Sequence, residues 1–219
     1  MNDLTIKTAR VHTGGDVSNK NSKMLGSSFG LDPFQCKVGS ELSKIEGSVC
    51  HQCYAKRGTG IYPSVRKGRE NNTQHIVDGD KKDGLKSWSD AMIFLIEKRA
   101  TLGFHRWHDA GDLQSLNHYK AIIRIAEKLP NIKFWLPTKE KKVINSYKGN
   151  IPDNLCVRLS APMVDGLPSK VRKGINTSTV HKNQTAHGYV CPAPKQNNSC
   201  GDCTACYNKN VANVSYHKH

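Results

Sequence analysis

The chain contains no membrane span, and its first 23 residues, MNDLTIKTARVHTGGDVSNKNSK, are polar and hold no apolar run. A span needs about 20 consecutive apolar residues, and a secretory signal needs a shorter apolar core. The sequence therefore predicts a cytosolic protein with no membrane partner. Acidic residues are scarce, 18 against 33 Lys and Arg, which gives a formal net charge of +15. A surface of that sign attracts phosphate, so nucleic acid or a nucleotide is an expected partner. No recognised nucleic-acid motif accompanies the basic stretches at 81–82, 139–142 and 170–173, and a solvated basic surface explains them as well. No internal repeat is present, so solenoids and propellers are excluded.

What is present is cysteine in two groups. Cys36, Cys50 and Cys53 lie near the N-terminus; Cys191, Cys200, Cys203 and Cys206 lie near the C-terminus. The core CGDCTAC with a remote Cys-Pro is ligand grammar for a cubane iron–sulfur cluster, each thiolate reaching a different corner. Zinc is the rival, since Cys200 and Cys203 with Cys50 and Cys53 would make paired knuckles and leave Cys191 and Cys206 over. Disulfides fit a reducing compartment poorly. Read as two [4Fe-4S] clusters, the four-cysteine site is closed and suits electron relay or stapling. The three-cysteine site leaves one iron for substrate, cofactor, water, or a side chain such as His51, His105, His108 or Cys156. Cys156, in the apolar run NLCVRLSA, also reads as a small core residue. His217 and His219 read as a frayed tail or a metal-binding one.

At 37% hydrophobic and 23% charged, the chain reads as one soluble α/β domain of 219 residues. Residues 30–60 form the first cysteine segment, 61–165 a βα core, and 166–219 a loop followed by the second cysteine segment. Strands are expected at 4–11, 104–109, 132–137 and 155–160. Helices are expected at 64–76, at 85–99, from 115 to 129 and at 139–147. DGDKKDG (78–84) reads as a turn, and 166–196 as a long loop. Alternating helices and strands imply parallel strands, arranged as a partial (β/α) barrel or an open parallel sheet.

Function in such folds gathers at the C-terminal ends of the strands. Three segments fall there: HDAGD (108–112), PTK (137–139) and RLSAP (158–162). They nominate Asp109, Asp112, Lys139 and Arg158 as catalytic groups, and His108, Gly111, Thr138 and Ser160 as ligand-binding ones. Asp112 reads equally as the cap of the following helix. His105 and His108 are expected on opposite faces of their strand.

The chain resembles the gene product 88-like proteins of phages and mobile elements. The likeness is carried by CHQCYAKRG (50–58), RWHDAGDL (106–113), PNIKFWLPTK (130–139), RLSAP, and the terminal CPAPKQNNSCGDCTACYNKNVANVSYHKH. It implies a phage protein with iron–sulfur clusters, working in the host cytoplasm. A looser similarity, through CxxCYA and the alternating elements, is to radical S-adenosylmethionine enzymes. It implies a cluster that binds that cofactor, with 108–112 in place of the family's acidic glycine-rich turn, and redox chemistry fed by an electron donor. The family's C-x3-C-x2-C loop is replaced here by Cys36 and, after 13 intervening residues, Cys50 followed by Cys53.

Overall fold

In the computed structural model, residues 4–19 and 23–218 are described. His219, half of the suggested histidine tail, lies outside them. The strands are β1 (Ser27–Phe29), β2 (Phe104–Trp107), β3 (Lys133–Thr138), β4 (Leu155–Val164), β5 (Asn176–His181), β6 (Tyr189–Val190) and β7 (Asn213–His217). They form one seven-stranded sheet in the order β1-β2-β3-β4-β5-β7-β6, with every neighbouring pair parallel. The sheet is open, which decides against the partial barrel.

The helices are α1 (Ile6–Thr13), α2 (Lys37–Ser43), α3 (Pro63–Asp83), α4 (Lys86–Arg99), α5 (Leu116–Lys128) and α6 (Lys141–Ser146). Strand alternation turns Trp107, Phe134, Leu136, Leu155, Val157 and Leu159 to one face. There they share a core with Ile76 of α3, Trp88, Met92 and Leu95 of α4, and Tyr119, Ile122 and Ile125 of α5. The opposite face carries Phe104, Arg106, Trp135, Cys156 and Arg158 and lies under the C-terminal segment. Tyr207 meets Phe104 and Trp135 edge-on at centroid distances of 4.9 and 5.9 Å, and Tyr216 stacks on Trp135 at 6.5 Å.

Three local expectations are corrected. The strand expected at 4–11 is instead α1, because Thr5 and Thr8 form a reciprocal capping box and Gly14 closes the helix in the left-handed conformation. DGDKKDG is not a turn. α3 continues through it to Asp83, with Lys81 and Lys82 facing the negative end of the helix dipole and Gly84 as its left-handed stop. The expected loop at 166–196 contains β5 and β6. β5 is built of Asn, Thr, Ser, Val and His, so its polarity hid it. Its side chains are satisfied inside the sheet, Thr179 Oγ1 donating to Ser215 Oγ at 3.1 Å and Asn213 Nδ2 to Thr179 Oγ1 at 3.0 Å.

Candidate functional site

The first cysteine segment follows β1 directly and lies across the C-terminal ends of four strands. It is pinned at both sides. Val49 N donates to Pro162 O at 2.9 Å and Val164 N to Gly47 O at 2.9 Å, so residues 47–49 extend the end of β4. On the other side, Leu31 N donates to Ala110 O at 2.8 Å and the Tyr54 hydroxyl donates to the Asp109 carbonyl. Below, Val38 N donates to Glu140 Oε1 at 2.9 Å and Lys37 Nζ to Gln114 O at 2.6 Å.

The three thiols gather on this platform. Gly39 sits tight against the group: a β-carbon there would stand 3.0 Å from Cys36 Cβ, closer than is comfortable, and 3.7 Å from the sulfurs of Cys36 and Cys50. Burial pushes the Cys36 and Cys50 thiols up, and the charges of neighbouring cysteines and of Asp112 push the same way. The Lys139 ammonium opposes this at Cys50. The platform thus sets clustered sulfur against two lysines, Lys139 at Cys50 and Lys56 at both thiols.

Asp112 is buried under the group. Its carboxylate accepts from Leu113 N at 2.7 Å, Thr138 Oγ1 at 2.6 Å and Lys139 N at 2.8 Å. It ties the end of β2 to the end of β3 and does not cap α5, whose N-cap is Ser115, accepting from His118 N at 3.0 Å. Burial raises its pKa to about 6, against the three hydrogen bonds that lower it. Gly111 adopts φ +81°, and a β-carbon there would sit 2.5 Å from Leu31 Cβ, so only glycine lets the turn approach β1 this closely.

The nominated residues divide. Asp109, Gly111, Asp112, Thr138 and Lys139 meet at one edge with Cys36, Cys50 and Cys53. Ser160 lies further along, its hydroxyl accepting from Ser178 Oγ at 3.1 Å. His108 does not join them. At φ +55° the chain turns it back into the helix-side core, with its ring 5.1 Å from that of His118. It therefore shares a side with His105, whose ring lies 4.6 Å from Trp107. The expectation of opposite faces assumed that the strand ran to Asp109, whereas it ends at Trp107.

Arg158 does not reach the edge either. It is fully buried, and its five N–H groups are matched by five carbonyls: Cys206 from Nε at 3.0 Å, Thr177 and Val211 from Nη1 at 3.1 and 2.9 Å, and Ala205 and Asn208 from Nη2 at 2.8 and 2.9 Å. Four of these belong to the C-terminal cysteine segment, so Arg158 shapes that loop. Cys156 is buried on β4 beside Asn176, away from both groups. Sequence reasoning missed Tyr54 and Glu140. Each directly follows a nominated residue, Cys53 and Lys139, which was the available signal.

The C-terminal four gather on the sheet face opposite the helices. Cys191 N donates to Ser215 O at 2.9 Å and Cys200 N to Lys23 O at 2.8 Å, which sets the loop between β7 and residues 23–25. The Cys206 sulfur is 3.2 Å from the Tyr216 hydroxyl and the Cys203 sulfur 3.4 Å from that of Tyr189. Burial pushes the Cys206 thiol up to about 12. All eight cysteines are free thiols, so the disulfide alternative is not realised. Among the described residues, no group of three or more His, Cys, Asp or Glu is spaced to hold a metal ion, and no helix is long and apolar enough to cross a membrane.

A family model described as gene product 88 matches residues 3–188. The chain belongs to the gene product 88 family, a family of phage gene products. No curated protein and no solved structure matches it. The gene product 88 match takes in Cys36, Cys50, Cys53 and every edge residue named above. It ends before Cys191, so the terminal segment lies outside the matched span.

Proposed function

We propose that the chain carries two [4Fe-4S] clusters and performs redox or radical chemistry with S-adenosylmethionine on a nucleotide or nucleic acid, with electrons from a separate donor. The supporting observation is position. Three free thiols on one loop after β1 lie over the C-terminal ends of parallel strands, where ligands collect in open α/β sheets. The donor set is seven cysteines in groups of three and four, a count that would close one cubane cluster and leave one iron open in the other.

In this reading Cys36, Cys50 and Cys53 hold the working cluster, and Cys191, Cys200, Cys203 and Cys206 hold the closed one. The working cluster would supply an open iron and a transferable electron. The chain's own residues do the rest. Asp112 fixes Thr138 and the Lys139 backbone, and so aims the Lys139 ammonium at the edge beside Cys50. Tyr54 fixes the Asp109 turn. Lys139 offers a cation to an anionic ligand. Ser160 can add a hydroxyl to a ligand that extends along β4. The excess of basic residues favours a phosphate-bearing substrate.

Iron, acid-labile sulfide and zinc per chain, measured on protein purified without oxygen, test the proposal. About eight irons and eight sulfides are expected, followed by saturable binding of S-adenosylmethionine. Zinc without sulfide would overturn it. Combined with salt-sensitive nucleic-acid binding and no turnover, that result would leave a metal-stapled nucleic-acid-binding protein.

A further inference from the structure

Beside β1, on the far side of Asp109 from the cysteines, lies an open cleft of about 330 Å³ that none of the chemistry above uses. Gly14 and Gly15 after α1, Gly30 after β1, and Gly68 and Arg69 of α3 line it, with Asn72 and Asp109. We propose that this cleft binds a vicinal diol, the ribose of a nucleoside or a free sugar of that size.

The argument starts from an ion pair that is not closed. Arg69 Nη2 and Asp109 Oδ2 stand 3.8 Å apart, beyond hydrogen-bond reach. Arg69 Nη1 and Asp109 Oδ1 are both buried without a partner. A hydroxyl set beside such a pair, about 2.8 Å from each atom, can accept from the guanidinium and donate to the carboxylate. An ammonium cannot accept, and a phosphodiester or fully ionised phosphate has no proton to donate to a carboxylate.

A second acceptor stands beside the first. Asn72 is nine-tenths buried, and its Nδ2 donates to Gly30 O at 2.9 Å, which leaves Oδ1 without a partner. Gly30 therefore has Asn72 on one side and Asp109 with Arg69 on the other. A β-carbon at Gly30 would overlap Asp109 Oδ1, and one at Gly15 would overlap Asn72 Oδ1. The glycines give the cleft a bare backbone floor that lets a ring approach both acceptors. A bridging hydroxyl at Arg69 and Asp109, with its neighbour donating to Asn72 Oδ1, matches a cis-diol. The volume lies at the low end for ligand sites and suits one sugar ring.

The inference does not rest on the clusters, and its test reads separately from iron content. Protein purified without oxygen is titrated by calorimetry with adenosine, 2′-deoxyadenosine and D-ribose. Adenosine is expected to bind, and loss of the 2′-hydroxyl is expected to weaken binding by about tenfold, the value of one hydrogen bond to a charged group. Binding of free ribose as well would mark the ligand as a sugar; binding of adenosine alone would mark it as a nucleoside. Asp109→Asn should weaken binding by a similar factor. Gly68→Leu is the control for folding: a β-carbon there meets nothing within 4 Å, and leucine favours a helix over glycine. This variant should keep or raise the melting temperature and abolish binding. No binding of adenosine or ribose, equal binding of the 2′-deoxy compound, or wild-type affinity in Gly68→Leu would each overturn the assignment.

Discussion

Arg158 Nε donates to the carbonyl of Cys206 at 3.0 Å, so a β4 side chain holds the last cysteine of the chain by its backbone. The same guanidinium takes four further carbonyls, and none of its donors is spare. Arg158→Met keeps the apolar stem and strands five buried acceptors. A loss of about 3 kcal/mol or more is expected. Denaturant unfolding measures it, and Cys200, Cys203 and Cys206 should become quickly reactive to a thiol reagent in native buffer. Unchanged stability would mean that the loop has other anchors.

Asp112 joins two strand ends. Asp112→Ala leaves Leu113 N, Thr138 Oγ1 and Lys139 N without their acceptor. It should cost about 2–3 kcal/mol, with Asp112→Asn milder because the amide keeps one acceptor oxygen. Thermal melts of the two variants compare them. Equal, negligible losses would remove the strand-tying role.

Three buried imidazoles predict the acid response. Burial lowers His105 and His118 to about 3 and His108 well below its ordinary value. Between about 3 and 6.5 the folded state binds fewer protons at these rings than the unfolded chain, so stability is lost as pH falls through that window. The melting temperature should fall by about 5 °C or more between pH 6.5 and 4.5. His118→Phe should flatten that slope, since Gln114 N donates to His118 Nδ1 at 3.2 Å and no proton can be added there without breaking the bond. An unaltered slope would put the acid response elsewhere.

The two cysteine groups should be separable. Cys53→Ser is expected to lower iron from about eight to about four per chain, and Cys203→Ser to do the same. Only Cys203→Ser should also loosen the terminal segment, read by limited proteolysis. Loss of all iron in either single variant would mean that the two groups form one shared site.

The helix–strand alternation was legible because α4, α5, β2, β3 and β4 have strong apolar periods and clear stops at Gly103 and Pro130. The convergence of Asp109, Asp112 and Lys139 followed from it. Long-range polar satisfaction was not legible. β5 looks like a loop until Ser215 and Asn213 arrive to bond its hydroxyls. Arg158 looks like a ligand-binding residue until five carbonyls from distant residues close around it. His108 turned inward because the chain takes φ +55° directly after β2, which spacing alone does not reveal. Charge composition cannot show which cations face a ligand, so the basic excess did not locate a partner.

The strand order also carries a schedule. β1 to β5 are laid down side by side as the chain lengthens, whereas β6, among the described residues, pairs only with β7, which follows it in the chain. During synthesis from the N-terminus, the helix-covered half can be complete while Trp135, Arg106 and Arg158 still face solvent. Residues 189–217 then arrive as strands, aromatic cover and four thiols together. Until they do, a nascent chain exposes a bare sheet face and an unpaired β5 edge, the state in which chaperone capture or mispairing would be most expected.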